Sequence, residues 1–192
     1  MDPRLLALSP VDGRYRSAVE PLARLLSESG LIRERVRVEA LWVLQLAESL
    51  PRLPAMPLSD AVGARLRALA ADPGEACASA VKAIEGRINH DVKAVEYFVR
   101  DELQLSGASP AQLELVHFGC TSEDINNLSY ARLLQQARKE VLLPAVDLLL
   151  REIESLALAN ADLPMLSRTH GQTASPTTLG KEFRTVASRL AP

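Results

Sequence analysis

A helical repeat of apolar residues constrains this chain more than any other feature of its sequence. From Glu75 to Leu103, apolar side chains recur every three or four positions for about eight turns. Alternation of apolar and polar residues, which marks a half-buried strand, is not found at useful length. The pattern predicts an all-α fold in which one stripe of this segment faces a core. The stripe consists of Ala80, Ile84, Ile88, Val92, Val95 and Val99.

Similar spacing predicts helices before and after this segment. Gly30 is expected to end the first of them as a C-cap. Pro144 should kink or split a long later helix, because proline removes a backbone donor from the helical ladder. The additional expected helices cover residues 17–29, 31–50, 59–71, 128–160 and 178–190.

A break at Gln104–Pro110, which contains Gly107, is the candidate domain boundary. It predicts an N-terminal helical domain at residues 1–108 and the opening of a second helical domain at residues 109–192.

Charge and cysteine content narrow the class of function. A formal net charge of −2, with no long run of one sign, argues against a nucleic-acid surface. No apolar run reaches the roughly 18–20 residues that a membrane span requires. The chain opens without a signal peptide, and Cys77 and Cys120 lie in unlike contexts, so a reducing cytoplasm is expected. Cys77 stands among small residues and is interpreted as a packing thiol.

Four polar segments interrupt the helical pattern, and the first is Ser9–Tyr15. Its proline and Asp-Gly pair predict a rigid turn, which Arg14 and Tyr15 follow directly. A guanidinium and a phenol on such a turn can bind a phosphate group. The same two side chains could equally form a salt bridge and a half-buried ring.

The second segment is Asn89-His90-Asp91, three consecutive polar residues inside the long helical pattern. Because Ile88 belongs to the apolar stripe, the three residues are expected at the edge of the buried face. An exposed helix edge with no further role is the simpler interpretation.

The third segment resembles the start of a helix. Thr121 and Ser122 provide hydroxyls at the cap, and two acidic residues follow in the first turn. Free amides with two hydroxyls can bind a carboxylate or phosphate group, although a cap needs no ligand. His117 and Cys120 lie three residues apart nearby, but the few histidines and cysteines of the chain provide no four-ligand zinc spacing.

The fourth segment is the polar turn Ser167–Gln172 between two apolar-patterned stretches. It contains His170, whose imidazole can both donate and accept a proton near neutral pH. Thr169 adds a hydroxyl, and the glycine that follows lets a ligand approach the backbone. A helix-connecting turn with a solvated histidine is the alternative.

Together these four segments closely resemble the adenylosuccinate lyases of the fumarase/aspartase superfamily, in the same order and spacing over nearly the whole chain. Thr-Ser-Glu-Asp and Thr-His-Gly-Gln alone would indicate only the superfamily or its purine branch. The resemblance is narrowed from the superfamily to the adenylosuccinate lyases by two further segments, Ser-Pro-Val-Asp-Gly-Arg-Tyr and Asn-His-Asp-Val-Lys.

The resemblance implies β-elimination of fumarate from adenylosuccinate, giving AMP, and from succinylaminoimidazole-carboxamide ribotide in purine biosynthesis. It implies no cofactor and no metal. In this family the Thr-His turn carries the general acid, which maps to His170, with Thr169 beside the substrate. Arg14 and Tyr15 match a phosphate-binding pair.

The resemblance also assigns the two middle segments to the substrate pocket. Asn89, His90 and Asp91 match a substrate-binding segment, with His90 near the phosphate and the catalytic histidine. Thr121 and Ser122 match the hydroxyls that hold a succinyl carboxylate.

One feature of the family is missing from the sequence. The family's base is a serine in a Gly-Ser-Ser-x-Met-Pro-type loop, and these 192 residues contain no such segment. The chain is therefore expected to be the N-terminal portion of a longer enzyme, a homotetramer with sites shared between subunits, and to be inactive by itself.

Two alternatives remain at the level of sequence. One is another lyase of the superfamily, an argininosuccinate lyase or a class II fumarase, whose substrates carry no phosphate for Arg14 and Tyr15 to bind. The other is a non-catalytic chain that binds nucleotides.

Overall fold

The computed structural model describes residues 6–53 and 55–191. As the apolar spacing predicts, the fold is all-α in class, and a single small hairpin is added to the described helices. The helices are α1 (Glu20–Leu26), α2 (Glu28–Ser49), α3 (Asp60–Ala71), α4 (Ala76–Ile88), α5 (Asp91–Leu105), α6 (Pro110–Leu113), α7 (Ser122–Ala137), α8 (Leu143–Ala159) and α9 (Leu179–Leu190).

The described residues form two compact units, which divide between Ala137 and Arg138. The predicted domain division at residues 108/109 concerns a longer enzyme and stays a prediction. Among residues 6–53 and 55–191, no helix is long and apolar enough to cross a membrane.

The first unit is built around α2, which is about 33 Å long at 1.5 Å per residue. It packs against α1, α3, α4, α5 and α7, and its apolar face contributes to the main core. Burial of this face removes apolar area from water and provides most of the stabilisation of such a unit. Cys77 lies in this core, and burial raises the pKa of its thiol to about 11, as expected of a packing thiol.

Charged side chains are also buried on α2. The Glu34 carboxylate is paired with Arg37 on its own helix and with the Nε of Arg132 on α7 at 2.7 Å. Arg37 in turn donates to the carbonyl oxygens of Ala70 and Ala71 at the end of α3. Because a buried charge without partners is costly, these contacts specify how α2, α3 and α7 pack.

The expected C-cap at Gly30 is wrong. The first helix ends at Leu26, and Ser27 serves both as its C-cap and as the N-cap of α2, where its hydroxyl accepts a hydrogen bond from the Gly30 N–H. Gly30 therefore lies in the first turn of α2. A Cβ atom at this position would lie 1.8 Å from the carbonyl oxygen of Leu25, so the close approach of α1 requires glycine.

The long helix expected from Glu75 to Leu103 is interrupted in the structure. Asn89 adopts the left-handed conformation with φ of 53°, and His90 is extended, so α4 ends before this pair and α5 begins after it. Two residues of the expected stripe are exposed. They are Ile88, the last residue of α4, and Ala80, which lies outside the buried face that Cys77, Ala78, Val81 and Ile84 form. The remaining four residues of the stripe, Ile84, Val92, Val95 and Val99, are buried as predicted.

The second unit begins with a π-helical segment, Arg138–Leu142, followed directly by α8. Pro144 lies in the first turn of α8. The sequence predicted a kink or split at this proline; the structure has a π-helical segment immediately before α8, and Leu142 keeps right-handed helical backbone angles. In this unit α8 packs against α9, and a Cβ at Gly180 would lie 2.3 Å from the carbonyl oxygen of Ala157.

A hairpin that the sequence did not predict follows α8. Strand β1 (Pro164–Thr169) pairs antiparallel with strand β2 (Gln172–Thr178). Its register shifts between Leu166 and Arg168, a β-bulge. Most residues of both strands are exposed, so the segment lacks the alternation of buried and exposed positions by which a strand is identified.

Candidate active site

The interruption between α4 and α5 places Asn89, His90 and Asp91 at the rim of a cavity of about 550 Å³. Asparagine tolerates the left-handed backbone conformation better than most residues, which explains its use at this point. Residues of three helices complete the cavity wall; they are Glu28, Leu31, Ile32, Arg35, Glu85 and Tyr130. The three predicted binding residues thus lie at one cavity, and not along the edge of an uninterrupted helix.

His90 has a structural role through one ring nitrogen, and its other ring nitrogen has no hydrogen-bond partner among residues 6–53 and 55–191. Its Nδ1 accepts a hydrogen bond from the Lys93 N–H at 3.1 Å, which makes it the N-cap of α5. A nitrogen that accepts carries no proton, so the proton of the neutral imidazole is assigned to Nε2. The His90 side chain is 54% exposed and can therefore offer Nε2–H as a donor to a ligand.

Asp91 is held by a buried arginine. Its Oδ2 lies 2.9 Å from Nη2 of Arg35, whose side chain is only 7% exposed. Burial opposes ionisation of Asp91, but a hydrogen bond from the Val92 N–H and the charge of Arg35 outweigh it and lower the pKa of the carboxyl. Asp91 is consequently an anion at neutral pH, with its position fixed by Arg35.

Arg35 also contacts the first turns of α7. Its Nε donates to Oδ1 of Asn126 at 2.9 Å, and Nδ2 of Asn126 donates to Glu123 at 2.9 Å. Asn126 is buried, which explains why an amide with poor helix propensity stands so early in α7.

The segment that precedes α7 is tied to α2 by a second buried charge. Glu39 is fully buried and accepts two hydrogen bonds from His117, one from the backbone N–H at 3.1 Å and one at the ring Nδ1, 2.6 Å away. Trp42, one turn further along α2, donates from its indole to the Phe118 carbonyl oxygen at 2.8 Å. His117 has φ of 62°, and these bonds hold this uncommon backbone conformation in place.

Thr121 and Ser122 lie where the sequence placed them, at the start of α7. The carboxylate of Asp124 accepts a hydrogen bond from the Thr121 N–H at 2.7 Å, and the Asp124 N–H donates back to the Thr121 carbonyl oxygen. The Asp124 carboxylate therefore supports the helix start through the Thr121 N–H, and no hydrogen bond joins the Thr121 hydroxyl to a residue in the described ranges.

Arg14 and Tyr15 follow the predicted turn, which is closed by hydrogen bonds from the Asp12 and Gly13 N–H groups to the Ser9 carbonyl oxygen. Both side chains are exposed, Tyr15 by 52%. Within residues 6–53 and 55–191 no ion pair involves Arg14, whereas the neighbouring Arg16 is paired with acidic residues on either side. This pair is open to solvent in the first unit.

His170 and Thr169 lie in the second unit, at the end of the β-hairpin. His170 and Gly171 form its two-residue turn, with φ of 50° and 74°. Positive φ at both central residues defines a type I′ turn, whose twist matches that of the paired strands. The turn presents the His170 ring and the Thr169 side chain to solvent.

Within the first unit, the structure thus brings Asn89, His90 and Asp91 together at one cavity. Arg35 and Glu39 were missed by the sequence-based interpretation. A signal was available, because both are charged residues at helical spacing from Ile32 and Val36, on the face of α2 that enters the core. A charge on such a face needs a specific partner.

Comparison with solved structures identifies the class of fold. A 3-carboxy-cis,cis-muconate lactonizing enzyme from Pseudomonas putida and a fumarate lyase from Mesorhizobium each match 89% of this chain with a TM-score of 0.65. Both are 21% identical to it, and the match covers 36% and 39% of their chains. The chain thus has the helical fold that these enzymes share over the matched part.

Sequence comparison then identifies the family. A family model described as lyase matches residues 13–191, so the chain belongs to this lyase family. It is 48% identical to the adenylosuccinate lyase of Haemophilus influenzae, 47% to that of Escherichia coli K12 and 45% to that of Vibrio cholerae. Each match covers 97% of this chain and 41% of the relative, so the chain spans about two fifths of their length.

Proposed function

We propose that this chain supplies part of an adenylosuccinate lyase site, including its general acid, for β-elimination of fumarate from adenylosuccinate. The observation that carries the proposal is 45–48% identity to three adenylosuccinate lyases along 97% of the chain. The same chemistry would cleave succinylaminoimidazole-carboxamide ribotide, which has the same succinylamino group.

In the proposed reaction, a base removes a proton from the succinyl carbon next to the carbon that bears nitrogen. The carbon–nitrogen bond then breaks, its electrons pass to the nitrogen, and the new double bond becomes that of fumarate. His170 donates a proton to the departing nitrogen, a contribution of roughly 10²–10⁴ in rate. Its exposed position on a two-residue turn supports this role, because the ring can reach a bound substrate.

The remaining predicted residues hold the substrate in this proposal. Arg14 and Tyr15, exposed after a rigid turn, bind the phosphate group. His90 offers its Nε2–H, and Thr121 and Ser122 offer hydroxyls to a succinyl carboxylate at the start of a helix. Thr169 stands beside the acid.

The base is the part that these 192 residues do not contain, since no Gly-Ser-Ser-x-Met-Pro segment occurs among them. Turnover therefore requires a serine from residues outside this sequence, and assembly with other subunits would bring it to the site. By itself the chain is expected to bind nucleotide without turnover.

Complementation tests the proposal. The purified chain is mixed with an Escherichia coli adenylosuccinate lyase whose catalytic histidine has been replaced, and fumarate release is followed. Recovered activity is expected with the chain as it stands, and roughly 10²–10⁴ less with a His170→Asn chain as the matched control. Equal recovery with both chains, or none with a folded chain that binds AMP, would contradict the role of His170.

Ligand selectivity separates this proposal from another lyase of the superfamily. AMP should bind to the chain more tightly than argininosuccinate, because only AMP carries the phosphate that Arg14 and Tyr15 are proposed to hold. An Arg14→Met chain should lose most of this preference. Tighter binding of argininosuccinate would overturn the assignment to adenylosuccinate.

A further inference from the structure

We infer that Arg35 is a positioning residue that fixes the Asn89–Asp91 segment and the first turns of α7 relative to each other, so that both hold one substrate. The inference deepens the function proposed above and rests on it. It adds a residue that the family motifs do not include and that acts through other side chains.

Arg35 is buried at the centre of the first unit. The whole residue is 5% exposed, in the middle of α2, the helix at the centre of the first unit. A guanidinium withdrawn from water in this way must be compensated by specific partners. The partners therefore restrict the position of the guanidinium, and the guanidinium in turn restricts the positions of its partners.

The two partners of Arg35 come from different segments of the chain. Nη2 lies 2.9 Å from Asp91 Oδ2 at the start of α5, and Nε donates to Asn126 Oδ1 in α7 at the same distance. One planar fork thus joins two helices that each begin with predicted substrate-binding residues. The amide orientation of Asn126 is set from its other side, where Nδ2 donates to Glu123.

This link lies beside the cavity between α2, α4 and α7. Arg35 forms part of the wall of the 550 Å³ cavity whose rim carries Asn89, His90 and Asp91. Tyr130 of α7 lines the same cavity. Glu123, at the far end of the link, directly follows Ser122. The link therefore extends from the cavity rim to the first turn of the helix that begins at the proposed carboxylate-binding hydroxyls.

Lysine at position 35 could not form both of these contacts. Its ammonium group is a point charge on a flexible stem and lacks the two separated donors that a guanidinium directs in a fixed plane. A lysine at this position would still pair with Asp91 but would release Asn126. Arg35→Lys is for this reason the variant that separates positioning from charge balance.

The first test needs no nucleotide. In the 192-residue chain, Asp91→Asn is expected to shift the Asn126 side-chain amide resonances in a ¹H–¹⁵N correlation spectrum. In an Arg35→Met background the same substitution should leave those resonances unmoved, because the connecting group is gone. An equal shift in both backgrounds, or no shift in either, would refute the inference.

The second test measures adenylosuccinate affinity together with thermal unfolding, because this nucleotide carries the succinyl carboxylate that AMP lacks. Arg35→Lys is expected to weaken adenylosuccinate binding about tenfold or more while its Tm stays within a few degrees of the parent chain. Arg37→Met is the matched control, because Arg37 is an ion-paired arginine of the same helix that contacts Glu34 and the end of α3. It should lower the Tm and leave adenylosuccinate affinity unchanged.

The two tests distinguish failure of the inference from failure of the proposed function. If the parent chain binds no adenylosuccinate, the function fails, while the spectroscopic coupling still decides whether Arg35 links the two segments. If adenylosuccinate binds but Arg35→Lys binds it equally well, the function stands and the positioning role is wrong.

Discussion

Glu39 and His117 form a buried pair in which one carboxylate accepts from both the backbone and the ring of a single histidine. Oε2 lies 3.1 Å from the His117 nitrogen and Oε1 lies 2.6 Å from Nδ1, with the Glu39 side chain fully buried. Burial raises the pKa of Glu39, the bonds from His117 oppose the rise, and the nearby charge of Glu96 adds to it. The pair holds the backbone that leads to Thr121 and Ser122.

This pair predicts a pH dependence of stability. Because the pKa of Glu39 is higher in the folded chain than its ordinary 4.5, folding favours the protonated form. Its favourable contribution is complete below pH 4.5 and is lost as the pH rises through the folded-state pKa. The effect is measured as Tm from pH 4 to 8.

Glu39→Gln should flatten this dependence, because glutamine cannot ionise. Its Oε1 can accept from the His117 N–H, and its Nε2 can donate to Nδ1 in the imidazole tautomer that carries the proton on Nε2, so both contacts are retained. The Tm of the variant is expected to rise relative to the parent chain with increasing pH. Glu39→Ala is the control, since it leaves the His117 N–H unpaired and should destabilise by about 1–3 kcal/mol. Parallel pH profiles for parent and Glu39→Gln would contradict the prediction.

Alanine substitutions at two helical glycines are expected to change the stability of the chain in opposite directions. Gly30→Ala places a Cβ 1.8 Å from a backbone oxygen of α1, and should destabilise by about 1–3 kcal/mol or more. Gly86→Ala lies inside α4 with open space around the added carbon, and should stabilise by roughly 0.5–1 kcal/mol through helix propensity. Urea unfolding of both variants checks the signs. A Gly30→Ala chain as stable as its parent would show that α1 does not approach α2 so closely.

The helices could be predicted from the sequence because burial of one face imposes its period on the residues. The Asn89-His90 interruption escaped prediction because Ile88 and Val92 keep a spacing of four across it. Periodicity describes which residues share a face, but it does not detect two residues whose backbone leaves the helix. Asn89 was the available signal, since asparagine is among the few residues that adopt positive φ readily.

The candidate site was predictable to a lesser degree. Its exposed residues stand in short polar motifs, whereas the side chains that hold them are distant in sequence. Arg35 reaches residues 56 and 91 positions away, and Glu39 reaches one 78 positions away. No local pattern encodes such pairs, because they form only when α2 packs against α5 and α7. The hairpin at His170 was missed for another reason, since neither strand has a buried face.

His90 permits its capping role to be separated from its proposed binding role. His90→Ala removes the acceptor for the Lys93 N–H and should cost about 0.5–2 kcal/mol of stability. His90→Asn keeps an N-cap acceptor, so its stability should match that of the parent chain. Both variants lose the Nε2–H donor, and both are expected to bind AMP more weakly in calorimetric titrations. If His90→Asn binds AMP normally, the role of this residue ends at the helix cap.

Substitutions in the type I′ turn can separate the contribution of the His170 imidazole from that of the backbone that holds it. At His170, with φ of 50°, asparagine fits the backbone well, so His170→Asn should keep the hairpin folded and remove only the imidazole. At Gly171, with φ of 74°, a β-branched side chain is strained, so Gly171→Val should distort the turn and leave the imidazole in place. Hairpin integrity is read from the cross-strand amide signals of Arg168 and Thr173, which are partners in the sheet.

Fumarate release in the complementation assay then assigns the two effects. The His170→Asn chain should lose roughly 10²–10⁴ in rate with normal hairpin signals, because the proton donor is gone and its support remains. The Gly171→Val chain should lose activity together with those signals, because the ring is present but misplaced. Activity of His170→Asn within a few-fold of the parent chain would mean that another group protonates the departing nitrogen.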